Sequence, residues 1–104
     1  MAYKIYLGKK AKEEYEEAML WYHEASPQAA VKFKANILAT LHEMSLRPHK
    51  YGPVRHRPRY RRAIVNRFPY QIVFRLEENT QRIFVLSFWH TRRNPAVLMK
   101  RLRH

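Results

Sequence analysis

Between Arg47 and Pro58 the repeat of apolar side chains changes from one in every three to four residues to one in every two. A chain patterned this way must build helices from its first half and strands from its second. Upstream of the change, Ala11, Tyr15, Ala18 with Met19, and Tyr22 align one stripe of a helix from Lys9 to Ala25, and its Glu and Lys residues take the other face. Ser26-Pro27 reads as the start of a second helix, the serine oxygen serving as cap and the proline filling a first turn that needs no N–H. The stripe of this second helix is Ala30, Phe33, Ile37 with Leu38, Leu41 and Met44, and Pro48 and Gly52-Pro53 end it. Helices joined this tightly lie as an antiparallel hairpin.

Downstream of the change, Arg59 to Val65 reads as a strand. Phe68, Tyr70, Ile72, Phe74 and Leu76 form one face of another, and Ile83 to His90 is a third. Asn66-Arg67 and Glu77 to Gln81 are short enough for hairpin turns, which gives an antiparallel meander. Pro69 cannot donate to a ladder, so it belongs at a strand start or on a free edge. Ala2 to Leu7 is a short first strand ended by Gly8, and Asn94-Pro95 opens a short basic helix from Ala96 to Arg103. The expected order is β-α-α-β-β-β-α, a helical hairpin packed on an antiparallel sheet, α+β in class. At 104 residues the chain is read as one domain, 1–104, with the loop from Arg47 to Pro58 as its mobile segment.

Charge follows the same division. Residues 1–46 hold six Lys and six Glu, whereas residues 47–104 hold thirteen Arg, two Lys and only Glu77 and Glu78. The second half therefore carries the whole net charge of +13. Arginine offers a planar, permanently charged donor suited to phosphate and carboxylate, and a merely solubilising surface mixes both signs. An anionic partner is expected. The chain has no cysteine, so neither a disulfide framework nor a thiolate metal site is available, in keeping with a reducing cytoplasm. The N-terminal residues do not read as a secretion signal, and no stretch reaches membrane-spanning length, so no membrane partner is expected.

Two glycines cannot build a phosphate-cradling loop, and the six histidines lack zinc-site spacing. Neither a metal nor a cofactor is expected. Metal-free RNA cleavage needs arginines to stabilise the phosphate and a group to move protons. Arg61 or Arg62 on one strand, with His90, Arg92 and Arg93 at the end of another, could supply these parts. The plainer reading of His90 is a strand-end histidine bonded locally, and of Arg92 and Arg93 a solvated pair.

The run RRAIVNRFPYQIVFR, a polar turn, and then RIFVLSFWHTRRNP resembles the RelE/ParE toxins, particularly the ParE-like branch. The resemblance rests on Phe68, Pro69, Tyr70, Ile72, Phe74 and Arg75, on His90, Arg92, Arg93 and Pro95, and on the A-x-x-x-Y-E-E-A pattern of the first helix. It implies a toxin of a type II toxin-antitoxin (plasmid stabilisation) system, held inactive by an antitoxin with an acidic, partly disordered segment. It also implies Arg61, Arg62, Tyr70, Arg75, His90, Arg92 and Arg93 as target- or antitoxin-binding residues. Within the family some members cut mRNA on the ribosome, and ParE-like members poison DNA gyrase. Alignment with RelE puts Arg62 on a basic catalytic position, but Ile64 and Gln71 replace a lysine and an arginine. Ala96 to Leu98 replace a tyrosine.

The leading expectation is therefore a gyrase-inhibiting toxin without catalysis. The alternative is a ribosome-dependent endoribonuclease using Arg62, His90 and Arg93, with His104 as a further histidine of the kind some relatives use. A plain nucleic-acid-binding module is the third.

Overall fold

The computed structural model describes residues 2–102. Its elements are β1 (Lys4–Leu7), α1 (Lys9–Ala25), α2 (Pro27–Leu46), a 3-10 turn (Pro48–Lys50), β2 (Pro53–Val54), β3 (Arg57–Ile64), β4 (Tyr70–Glu77), β5 (Arg82–His90) and α3 (Pro95–Arg101). The α+β class and the expected order hold, with two additions. The segment from Arg47 to Pro58 is not a plain loop, because it carries the 3-10 turn and β2, which pairs with β3. Arg103 and His104 lie outside the described residues.

The sheet runs β1-β5-β4-β3-β2. β3, β4 and β5 form the expected antiparallel meander, while β1 joins the edge parallel to β5, Ile5 facing Ile83. Gly8 turns the chain from β1 into α1 with its N–H on the Val85 carbonyl at 2.9 Å. A Cβ on Gly8 would stand 3.2 Å from that oxygen, so the close approach explains the glycine.

The hairpin packs on one face of the sheet through Phe33, Ile37, Met44, Ile72, Phe74, Ile83, Val85 and Phe88. Tyr22 stacks on Phe33 at 4.7 Å. Each such side chain contributes about 1.5–3 kcal/mol by leaving water. Three expectations about the hairpin are corrected. Leu38 is 53% exposed, because a step of 100° from Ile37 carries it off the stripe that Phe33, Ile37 and Met44 define. Ser26 ends α1 and starts α2, yet its side chain makes no capping bond; its carbonyl takes the Ala30 N–H at 3.2 Å instead. Glu14 does not share the solvent face of α1 with its acidic neighbours Glu13, Glu16, Glu17 and Glu24, which are exposed; its side chain is only 11% exposed.

The turn between β3 and β4 is also longer than the Asn66-Arg67 pair. It spans residues 65–69, with Arg67 at φ 68° and the Val65 N–H on the Tyr70 carbonyl at 3.0 Å. Pro69 sits just ahead of β4, where its missing N–H costs no ladder bond. Phe68 lies in the turn rather than in the strand but still packs into the hairpin-side core, 5.2 Å from Phe33.

β5 does not keep strict alternation. Val73 faces Ser87 and Phe74 faces Val85, so Leu86 is an extra residue in the ladder. Before this bulge Ile83 and Val85 point to the hairpin; after it Phe88 does, leaving Leu86 and Trp89 on the far face.

At the β1 edge, Glu78 in the β4–β5 turn is bonded by His49 and accepts from the Tyr3 hydroxyl at 3.0 Å. The His49 hydrogen bond, seconded by Tyr3, holds the Glu78 carboxyl below the usual glutamate range. Hydrogen bonds from Arg47 and then Lys50 do the same for Glu43. A carboxyl depressed on folding adds stability above its unfolded pKa, and that stability is lost as pH falls through the folded value. Thermal melts should therefore drop through the acid range below about pH 4.5. Glu78→Gln should make this decline shallower without altering the melt at pH 7 by more than a few degrees. An unchanged acid limb in the variant would rule out the Glu78 contribution.

Candidate functional site

The far face of the sheet carries a second, smaller core. Val54, Tyr60, Val73 and Trp89 pack there with Leu98 and Leu102, two residues one helical turn apart that α3 and its end lay on the sheet. Asn94 sets the entry of α3, its side chain accepting the Ala96 N–H at 2.9 Å, and Pro95 occupies the first turn. The sheet is thus covered on one face by the hairpin and partly on the other by α3.

Trp89 is 1% exposed, and two guanidinium groups rest on its indole, that of Arg93 at 4.2 Å and that of Arg101 at 5.1 Å. Both arginines also reach Glu14 Oε2, at 3.1 and 3.0 Å. The other oxygen of Glu14 accepts from Ser87 Oγ at 2.8 Å and from the Phe88 N–H at 3.3 Å. β1 ends at Leu7, opposite Val85, so the edge of β5 beyond it lacks a strand neighbour. Glu14 fills that gap and ties α1, β5 and α3 together. The sequence reading missed this residue. Its trace was Ser87, a lone polar side chain in an otherwise apolar strand, which needs a partner from elsewhere when buried.

The residues singled out from the sequence fall into separate groups. Arg62 faces Val73, on the α3 face. Arg61 points the other way and donates to the Tyr51 carbonyl at 2.7 Å. Arg75 lies on the α3 face, its guanidinium 4.8 Å from the centre of the Phe84 ring and 3.7 Å from Glu77. Tyr70 and His90 face each other across β4 and β5 on the hairpin side, ring centres 5.0 Å apart. The sheet thus places Arg62 and His90 on opposite faces, and Arg93 lies over Trp89 on the face of Arg62.

His90 Nδ1 accepts the Arg92 N–H at 3.1 Å, a local bond of the plainer kind. With Glu17, Trp21, Arg92 and Arg93, His90 and Tyr70 line a cleft of ≈ 800 Å³ between α1 and the ends of β4 and β5, so Arg93, though packed on Trp89, borders the same cleft as His90. Burial, with smaller effects from Tyr22, Glu17 and Glu14, pushes the Tyr70 hydroxyl up from its ordinary value. Tyr70 therefore stays protonated at neutral pH and serves as a donor, not as a base. The cleft joins an apolar wall to a mouth of both signs. No group of three or more potential metal ligands occurs among the described residues, and no described helix is long and apolar enough to cross a membrane.

A helical hairpin on one face of a short-stranded basic sheet, with a C-terminal helix on the other, is the RelE/ParE type of fold. A chain of the chromosomal ParDE TA system from P. aeruginosa superimposes with a TM-score of 0.72 at 18% identity, over 86% of this chain and 96% of that one. A chain of the toxin-antitoxin complex RelBE2 from Mycobacterium tuberculosis does so with a TM-score of 0.58 at 16% identity, over 86% and 99%. At these identities the likeness shows the fold. The model of the family described as ParE toxin of type II toxin-antitoxin system, parDE, matches residues 5–95, and the chain belongs to that family. No curated protein matches it significantly by sequence.

Proposed function

We propose that this toxin arrests growth by binding a protein target, DNA gyrase, rather than by cutting RNA. We further propose that a cognate antitoxin silences it by laying an acidic, partly disordered segment on the basic sheet. What supports the first reading is the separation of Arg62 from His90 across the sheet, since cleavage would need charge stabilisation and proton transfer at one phosphate. The cation-rich half of the chain supports the second, because a disordered acidic segment that folds on binding can cover a wide surface.

The decisive experiment adds purified toxin to gyrase and relaxed plasmid. Supercoiling should fall as toxin rises, and Arg92→Ala, which removes an exposed cation from the mouth of the cleft, should weaken inhibition about tenfold. Full supercoiling at saturating toxin, with mRNA cut on ribosomes instead, would replace this reading with the endoribonuclease one. In that case Arg62→Ala and His90→Ala should each abolish cleavage.

A further inference from the structure

Away from the cleft, the α3 face of the sheet carries a row of flat groups. Tyr6 of β1 faces Phe84 of β5, which faces Arg75 of β4. The two rings stack with centres 5.5 Å apart and planes within 22° of each other. Arg75 caps the Phe84 side of the row, and Arg82 lies over Tyr6 at 5.7 Å. Beside the row runs a groove of ≈ 520 Å³ with an apolar floor that includes Tyr6, Phe84 and Leu86. Lys9 and Lys10, from the start of α1, and Arg101 of α3 stand on its rim. Arg82, Lys9 and Lys10 make no ion pair among the described residues.

We propose that this groove binds single-stranded nucleic acid, a base stacking on Tyr6 while phosphates run past Arg82, Lys9 and Lys10. Two features select this occupant. Tyr6 is 42% exposed, and an exposed cation resting on a ring is held less strongly than a stacked base. A base can therefore take the place of Arg82, whose freed guanidinium then meets a phosphate. The uncompensated cations match a polyanion of regular spacing, whose binding releases counterions. An acidic peptide would satisfy the same cations but has no use for the ring face.

The proposal is independent of the protein target, which the supercoiling assay reads separately. Its test is the fluorescence anisotropy of a labelled oligothymidylate titrated with the whole toxin at several salt concentrations. Affinity should fall steeply with salt, and removing Arg82 (Arg82→Gln) should lower the slope of log affinity against log salt by about one. Tyr6→Ala should weaken binding about tenfold and Tyr6→Phe should restore it. Arg55→Ala removes an equal charge between β2 and β3, at the opposite edge of the sheet, and should leave affinity within about twofold. Should Tyr6→Ala melt early, Arg82→Gln, an exposed site, carries the test through the salt slope alone. Absence of binding at low salt overturns the proposal, as does equal damage from Arg55→Ala and Arg82→Gln. A polyglutamate peptide that needs Tyr6 and Arg82 while the oligonucleotide does not would assign the groove to a peptide and overturn it too.

Discussion

Trp89→Ala is expected to destabilise the protein by about 3–5 kcal/mol, the largest effect of any single substitution on the far face. Trp89 is buried to 1% and forms the floor on which Leu98 and Leu102 rest, so its loss empties the second core rather than trimming it. The two guanidinium groups above it would lose their ring contact at the same time. For a domain of this size each kcal/mol shifts the melting temperature by roughly 4–8 °C. The expected drop is thus at least about 12 °C, a large share of a typical domain's margin. Fluorescence gives a local readout. Trp21, the other tryptophan, is 65% exposed, so the variant should keep only solvent-exposed emission and lose the buried component. Trp89→Phe should retain about half the stability difference. A melt within a few degrees of the parent would show that α3 is not anchored through Trp89.

Glu14→Ala should cost about 2–3 kcal/mol. Removing this carboxylate strands the Ser87 hydroxyl, the Phe88 N–H and two guanidinium groups together. The figure stays below that of a fully buried pair because the Arg93 side chain is 47% exposed and water replaces part of its bond. Glu14→Gln keeps an acceptor for Ser87 and Phe88 but not the charge, and should cost about half as much. Urea denaturation of Glu14→Ala, Arg101→Ala and the double variant measures the link directly. A coupling of about 1 kcal/mol or more is expected, and additive losses would break the account of Glu14 as the tie between α1 and α3.

The elements whose pattern is local were readable from the sequence. The three-to-four spacing from Ala11 to Tyr22 and the alternation from Tyr70 to Leu76 each report one buried face, and the structure buries those faces. What the pattern hides is non-local. β1 is too short to announce its parallel partner, and the bulge at Leu86 shifts the facing of β5 so that Phe88, rather than Ser87, joins Ile83 and Val85 on the hairpin side. The three-residue step from Val85 to Phe88, with the polar Ser87 where alternation expects an apolar side chain, was the visible sign of that break. For the candidate site, residue types were legible but convergence was not. Arg62 and His90 lie on strands that can meet, yet side-chain parity sends them to opposite faces. Glu14 stands three residues after Ala11 and four before Ala18, at the margin of the buried stripe, a position easily read as helix surface until a partner such as Ser87 is known.

The hairpin half of the chain is neutral while the sheet half holds the whole net charge, with Arg62, Arg75 and Arg82 together on the α3 face, so the molecule's positive field is one-sided. In the field of an approaching polyanion the molecule experiences a torque before any contact forms, and turns the arginine side forward. Encounters are thereby pre-aligned, so added salt should slow association more than it speeds dissociation.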